Sequence, residues 1–166
     1  FAMCHKIPLE NRLTADPITI PLAELLLSKA QIVELNRKDA LDITSVLLNN
    51  ETGSSDNETI NLKVLAQLCS QDWGLYKTTS INLERVVDIV HEKDISLSQA
   101  ERDLVMSRVQ AIQKTFDEMP KPIAWQLRDR LQEMDINPVF AGPKGAVAAD
   151  ALIVLRLLCR LGLQDA

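Results

Sequence analysis

From Pro21 onward, apolar residues recur at the three- and four-residue spacing of an amphipathic helix. The first apolar stripe consists of Leu22, Leu25, Leu26, Ile32 and Val33. Further helices are predicted over 37–49, 60–70, 80–92, 97–118 and 122–134. The helix over 37–49 has a capping-box-like start, formed by Asn36 and Asp39.

Two segments between these helices read as connections. Residues 49–58 contain no apolar side chain, and this polar run predicts an exposed, mobile loop that is open to proteolysis. The run Asp72-Trp73-Gly74-Leu75 predicts a turn closed by an aromatic side chain.

The two ends of the chain depart from this helical pattern. Residues 1–9 and 18–20 read as short strands, separated by proline, and two such strands need a partner sheet. The Ala- and Leu-rich run 146–163 reads as a buried helix, an oligomer seam or an amphipathic helix at a membrane surface. Its short length and lack of aromatic anchors favour the first two readings.

The fold class that follows is mainly α, a helical bundle with a short β remnant at the N-terminus. We expect short β segments over 1–20 that continue a missing N-terminal lobe. A helical domain is expected over 21–135, and an Ala/Leu-rich C-terminal helix over 136–166.

Composition narrows the function classes. The chain has 166 residues, 46% of them hydrophobic, which suffices for a buried core. Its formal net charge of −5 argues against a basic footprint for nucleic acid over the whole chain. Three widely spaced cysteines favour a reducing, cytoplasmic setting, and no apolar run is long enough to predict a membrane span. Because the first residue is Phe1, we expect the chain to start inside a longer gene product.

Lys29 is the most informative single residue. It lies in the middle of the first apolar stripe, where an unpaired buried ammonium group would be costly. Either the side chain extends past the edge of the core or pairs internally, or it meets an external anion.

Asp39 is the second candidate, at the border of the apolar arc of the next helix. One interpretation makes it an acidic residue that favours the helix N-terminus. The other makes it a carboxylate that faces the same cavity as Lys29. The spacing leaves both open. Cys4 and His5 would point to opposite faces of a strand, so no joint metal site is expected.

Two segments carry a family resemblance. The run Ile20-Pro21-Leu22-Ala23-Glu24-Leu25-Leu26-Leu27-Ser28-Lys29, followed by Arg37-Lys38-Asp39-Ala40-Leu41-Asp42, resembles the later motifs of nucleotidyltransferase-like proteins. These belong to the DNA polymerase beta-like superfamily, in the branch that includes abortive-infection toxin-type enzymes. The likeness covers roughly residues 1–135.

The resemblance implies a nucleotide site. Lys29, with Lys38, would contact the triphosphate of a bound nucleotide, and Asp39, or else Asp42, would act in the active site. It implies nucleoside monophosphate transfer from an NTP, with Mg²⁺, to an acceptor whose identity it leaves open. The Gly-Ser turn and the paired carboxylates that such catalysis uses to hold Mg²⁺ do not occur ahead of the Lys29 segment, where the resemblance would place them. We therefore expect Mg²⁺ and NTP to be used only by the full-length protein, and this chain to be inactive alone.

Two hypotheses result. In the first, the chain is the C-terminal helical lobe of a nucleotidyltransferase, and Lys29 and Asp39 open onto a common concavity. In the second, it is a non-catalytic helical interaction or dimerisation module, with Lys29 tied to an internal carboxylate and residues 146–163 packed on a second copy.

Overall fold

In the computed structural model, the described residues are 4–15, 19–125, 139–142 and 145–148, the last two ranges by their backbone. The described part is mainly helical, with a small β component, as predicted. Its elements are α1 (Leu22–Ala30), α2 (Arg37–Asn49), β1 (Glu51–Gly53), β2 (Thr59–Asn61), α3 (Leu62–Gln71), α4 (Trp73–Val90), α5 (Gln99–Glu118), β3 (Val139–Gly142) and β4 (Gly145–Ala148). A further helical turn covers 123–125.

The chain divides into two compact units, Phe1–Pro120 and Lys121–Ala166. The first unit is a helical bundle in which α2, α4 and α5 pack against one another and α1 packs on α2, α3 and α4. In the second unit, β3 and β4 pair as an antiparallel hairpin, with Val139 opposite Ala148 and Gly142 opposite Gly145.

Polar side chains start four of the five helices of the first unit. The Asn36 side chain accepts a hydrogen bond from the Asp39 backbone N–H, so α2 begins where the sequence predicts. Asn61 and Asp72 cap α3 and α4 in the same way. At α5, Ser98 and Glu101 form a reciprocal capping box.

The predicted turn at Asp72–Leu75 is wrong. Asp72 is the N-cap of α4, its Oδ1 accepts from the Leu75 backbone N–H at 3.0 Å, and the helix begins at Trp73. A capping aspartate and a turn-forming aspartate look alike in sequence, because both hydrogen-bond a backbone N–H a few residues on.

The strands of the first unit also lie away from their predicted position. In the described part of 1–20, Lys6 forms an isolated bridge and residues 10–15 form turns. The parallel pair β1–β2 instead lies within and just after the predicted polar loop, with Glu51 opposite Thr59, so the loop prediction is wrong for residues 51–53. Gly53 is required there, because a Cβ at that position would stand 2.5 Å from Thr59 Oγ1.

Part of the predicted C-terminal helix is also extended. Residues 139–142 and 145–148 are strands, since the Gly142-Pro143 break and Gly145 favour a turn between two short extended runs. The remainder of that helix, 149–166, and with it most of the oligomer seam proposed at 146–163, lies outside the described residues. So does most of the helix predicted over 122–134.

The core of the first unit is aliphatic, with one large aromatic side chain. Its largest fully enclosed residues are Ile7, Leu26, Leu27, Leu35, Ile43, Leu47, Ile60, Leu65, Leu75, Leu83 and Ile112, together with Phe116. Phe116 meets Tyr76 edge to face, with ring centroids 5.7 Å apart. Within the described residues, no helix combines the length and hydropathy of a membrane-spanning segment.

Candidate functional site

The structure pairs Lys29 with Asp42. Lys29 Nζ donates to Asp42 Oδ2 at 2.8 Å, which joins the last turn of α1 to the middle of α2. Both side chains are about two-fifths exposed, 38% for Lys29 and 39% for Asp42. The hydrogen bond from Lys29 lowers the pKa of Asp42 below its usual range, and the charges of Lys29 and Lys38 act in the same direction.

Asp39 takes a different position. It lies in the first turn of α2, half-exposed, and its backbone N–H is held by Asn36 Oδ1 at 2.9 Å. Its placement agrees with the helix-start interpretation. The structure therefore joins Lys29 to Asp42, places Lys38 one helical turn before Asp42 on α2, and leaves Asp39 at the helix end.

The buried face of α1 differs from the apolar stripe that the sequence predicts around Lys29. Of the five predicted residues only Leu26 is buried, and Val33 is 64% exposed. The buried face of α1 consists of Ala23, Glu24, Leu26, Leu27 and Ala30. Because this helix is apolar almost all round, spacing alone did not select the inward face, and Lys29 lies at its edge.

A buried charge cluster, which the sequence analysis missed, lies at the start of α1. Arg12 donates through Nε to Glu24, whose side chain is fully buried, and through Nη2 to the same carboxylate at 3.4 Å. The guanidinium also forms a bidentate pair with Asp56, at 2.9 and 2.7 Å. Asn61 Nδ2 donates to the same carboxylate at 3.1 Å. The cluster thus ties the N-terminal segment to α1, to the β1–β2 connection and to the start of α3.

These contacts perturb the ionisation of the cluster. Hydrogen bonding to Asp56 and then to Glu24 raises the pKa of Arg12. The hydrogen bond from Arg12 lowers the pKa of Asp56. The signal in the sequence is Glu24 itself, a carboxylate among the apolar residues Leu22 to Leu27, which needs a cation from elsewhere in the chain.

His5 makes the second polar anchor of the N-terminal segment. Its backbone N–H donates to Gln31 Oε1 at 2.8 Å, and its ring Nε2 lies 3.1 Å from Thr78 Oγ1. Its Nδ1 lies 3.8 Å from Asp72. The ring is seated over Gly74, where a Cβ would stand 2.7 Å from Cε1. The His5 side chain is only 16% exposed, and the contacts of His5 with Gln31, Thr78 and Asp72 hold the N-terminal segment against α1 and α4.

Two clefts among the described residues are lined by residues other than the predicted site residues. One, of about 460 Å³, lies between α3 and the end of α5, and Leu62, Ala66 and Met119 contribute its apolar part. The other, of about 250 Å³, lies between α4 and α5, beside Glu84 and Asp88. None of the four site residues predicted from the sequence lines either cleft.

No metal-binding constellation occurs in the part of the chain that the structure describes: no three His, Cys, Asp or Glu side chains converge there. Asp39 and Asp42 do not reproduce the paired carboxylates on adjacent strands that the resemblance implies for Mg²⁺. The residues that the structure describes therefore do not fit that ion. Burial raises the pKa of the Cys69 thiol to about 12, so that thiol is not a ready ligand.

Comparison of the chain with known proteins identifies no relative. No protein-family model, curated protein or solved structure matches the chain. The nucleotidyltransferase resemblance stays a prediction based on the residues quoted above.

Proposed function

We propose that the chain is a non-catalytic helical interaction module. The observation that supports this function is the 2.8 Å pair between Lys29 and Asp42. The ammonium group that suggested a phosphate contact already has a carboxylate partner from the same unit. Glu24, the most buried acid, is likewise matched by Arg12.

A cytoplasmic location belongs to the same proposal. Cys4 and Cys69 are free thiols, and free cysteines are typical of a reducing compartment. The partner that we propose is a second copy of the chain, engaged through residues 146–163.

Sedimentation equilibrium of the whole chain tests the self-association. We expect the apparent mass to rise with concentration towards that of a dimer. The double substitution Leu155→Lys and Leu158→Lys, within the run 146–163, should keep the protein monomeric. The two added charges cannot be buried in an apolar interface. A wild-type monomer at every concentration would contradict self-association.

One observation favours a second candidate, the helical lobe of a nucleotidyltransferase in a longer gene product. Lys29 and Lys38 both act on the partly exposed carboxylate of Asp42, so an anion that displaced Asp42 would meet two cations. This function predicts that Lys29→Ala weakens NTP binding by the full-length gene product. Lys114→Ala is the matched control, since Lys114 is 77% exposed and pairs only at 3.9 Å with Glu118. Equal losses in the two variants would contradict a phosphate role for Lys29.

A further inference from the structure

Two fully buried polar side chains each carry an atom that has no hydrogen-bond partner among the described residues. Gln31 ends α1 and Thr79 lies in α4, and each is 0% exposed. Neither Gln31 Nε2 nor Thr79 Oγ1 makes a hydrogen bond in the described part of the protein. Leaving a buried donor unsatisfied is costly, and proteins ordinarily satisfy such groups with ordered water where no side chain does.

The orientation of the Gln31 amide is fixed by its neighbour. Oε1 accepts the His5 backbone N–H at 2.8 Å. Exchanging the amide oxygen and nitrogen would set two donors against each other, so the oxygen must face His5. Nε2 therefore points away from His5 and needs an acceptor of its own.

The surrounding hydrogen bonds bring Gln31 and Thr79 to the same interface. Asn82, one helical turn after Thr79, donates to the carbonyl oxygens of Ala30 and Ile32, at 2.8 and 2.7 Å. Those carbonyls belong to the residues on either side of Gln31. His5 in turn contacts both Gln31 and Thr78, the neighbour of Thr79. Both unbonded groups thus lie where the end of α1 meets α4.

We propose that this interface is a binding site for one ordered water molecule, held between Gln31 Nε2 and Thr79 Oγ1. The water accepts from the amide, and the hydroxyl can donate to it or accept from it. The bridge extends the hydrogen bonds of the N-terminal segment from His5 through Gln31 to α4. It satisfies two groups that have no hydrogen-bond partner in the described part of the protein.

Chemical denaturation of a Thr79→Val variant tests the bridge, because valine keeps the shape of threonine and removes the hydroxyl. We expect the unfolding equilibrium constant to rise about tenfold, the effect of losing a buried hydrogen bond and leaving its partner unsatisfied. Thr44→Val is the matched control, since Thr44 is 3% exposed and its hydroxyl has a direct partner in the Ala40 carbonyl at 2.8 Å. A fall in the unfolding constant for Thr79→Val would overturn the proposal, because it would mean that the hydroxyl is unbonded.

Nuclear magnetic resonance of the wild-type chain gives a readout that needs no variant. We expect a cross-relaxation signal between a long-lived water and the side-chain NH₂ of Gln31. Absence of that signal, or a direct hydrogen bond from Gln31 to Thr79 with no water between them, would overturn the proposal.

Discussion

At the scale of single residues, the main feature is that charged side chains pair with one another within the protein. Glu24 is enclosed in the core and would be costly to leave ionised without a partner. Arg12 supplies that partner and reaches Asp56 at the same time. Lys29 and Asp42 form a comparable pair at the surface, where solvent screens the interaction.

Replacing Arg12 should therefore be far more damaging than replacing an exposed arginine. We expect Arg12→Met to lower the free energy of unfolding by about 3 kcal/mol, because it leaves Glu24 buried and unpaired. Arg37→Met is the control, since Arg37 is 48% exposed and pairs with exposed acids, and it should cost less than about 1 kcal/mol. Chemical denaturation measures both.

A double variant separates the two contributions of Arg12. Adding Glu24→Gln to Arg12→Met removes the buried charge, so part of the lost stability should return. Equal stability of the single and double variants would contradict an ionised Glu24 in the folded protein.

The same cluster predicts a dependence of stability on pH. Arg12 depresses the pKa of Asp56 in the folded state below its ordinary value of 3.8. The unfolded chain therefore binds the proton first, and the stabilisation is present above pH 3.8 and lost as the pH falls through the lower folded-state pKa. Asp56→Asn should flatten the loss of unfolding free energy below pH 4 in acid titrations followed by denaturation. An Asp88→Asn control, at an exposed position, should keep the wild-type slope.

At the scale of helices and strands, contacts between distant segments override local pattern. Gly74 lies in the first turn of α4, where alanine would ordinarily favour the helix. The His5 ring fills the space that the alanine methyl group would need. The glycine thus serves the docking of the N-terminal segment.

This close approach predicts a change of sign between two backgrounds. Gly74→Ala should lower the melting temperature of the wild-type protein and raise it, or leave it unchanged, in a His5→Ala background. Differential scanning calorimetry of the four proteins measures the coupling. A loss of the same size in both backgrounds would show that His5 is not the obstacle.

The sequence predicted the elements that depend on local signals. The start of α2 at Asn36 follows from capping chemistry in adjacent residues, and α5 begins two residues after the start of the helix predicted over 97–118. The helical class follows from the spacing of the apolar residues. The parallel pair β1–β2 was not predictable in this way, because each strand has only three residues and Glu51, Gly53 and Asn61 have weak strand preference.

The candidate site was less predictable than the fold. Lys29 could be singled out from its apolar neighbours, but its partner could not, because the choice between Asp39 and Asp42 depends on how α1 packs against α2. The anchors at His5 and Arg12 join residues far apart in the chain, such as Arg12 and Asp56 at a separation of 44 positions. Spacing within one segment carries no information on such pairs.

At the scale of the whole molecule, the internal pairing of charged residues supports the proposed interaction module. The described part of the first unit matches its buried acid with an arginine and its most suggestive lysine with an aspartate. An enzyme lobe would instead keep such a lysine available to the phosphates of its substrate. We therefore propose that Lys29 stabilises the fold and does not bind a nucleotide.

Calorimetric titration of the whole chain with ATP, GTP, CTP and UTP, each with Mg²⁺, tests that claim most directly. The account predicts no saturable heat up to millimolar nucleotide, for the wild type and for Lys29→Ala alike. Saturable binding that Lys29→Ala abolishes and Lys114→Ala retains would contradict it.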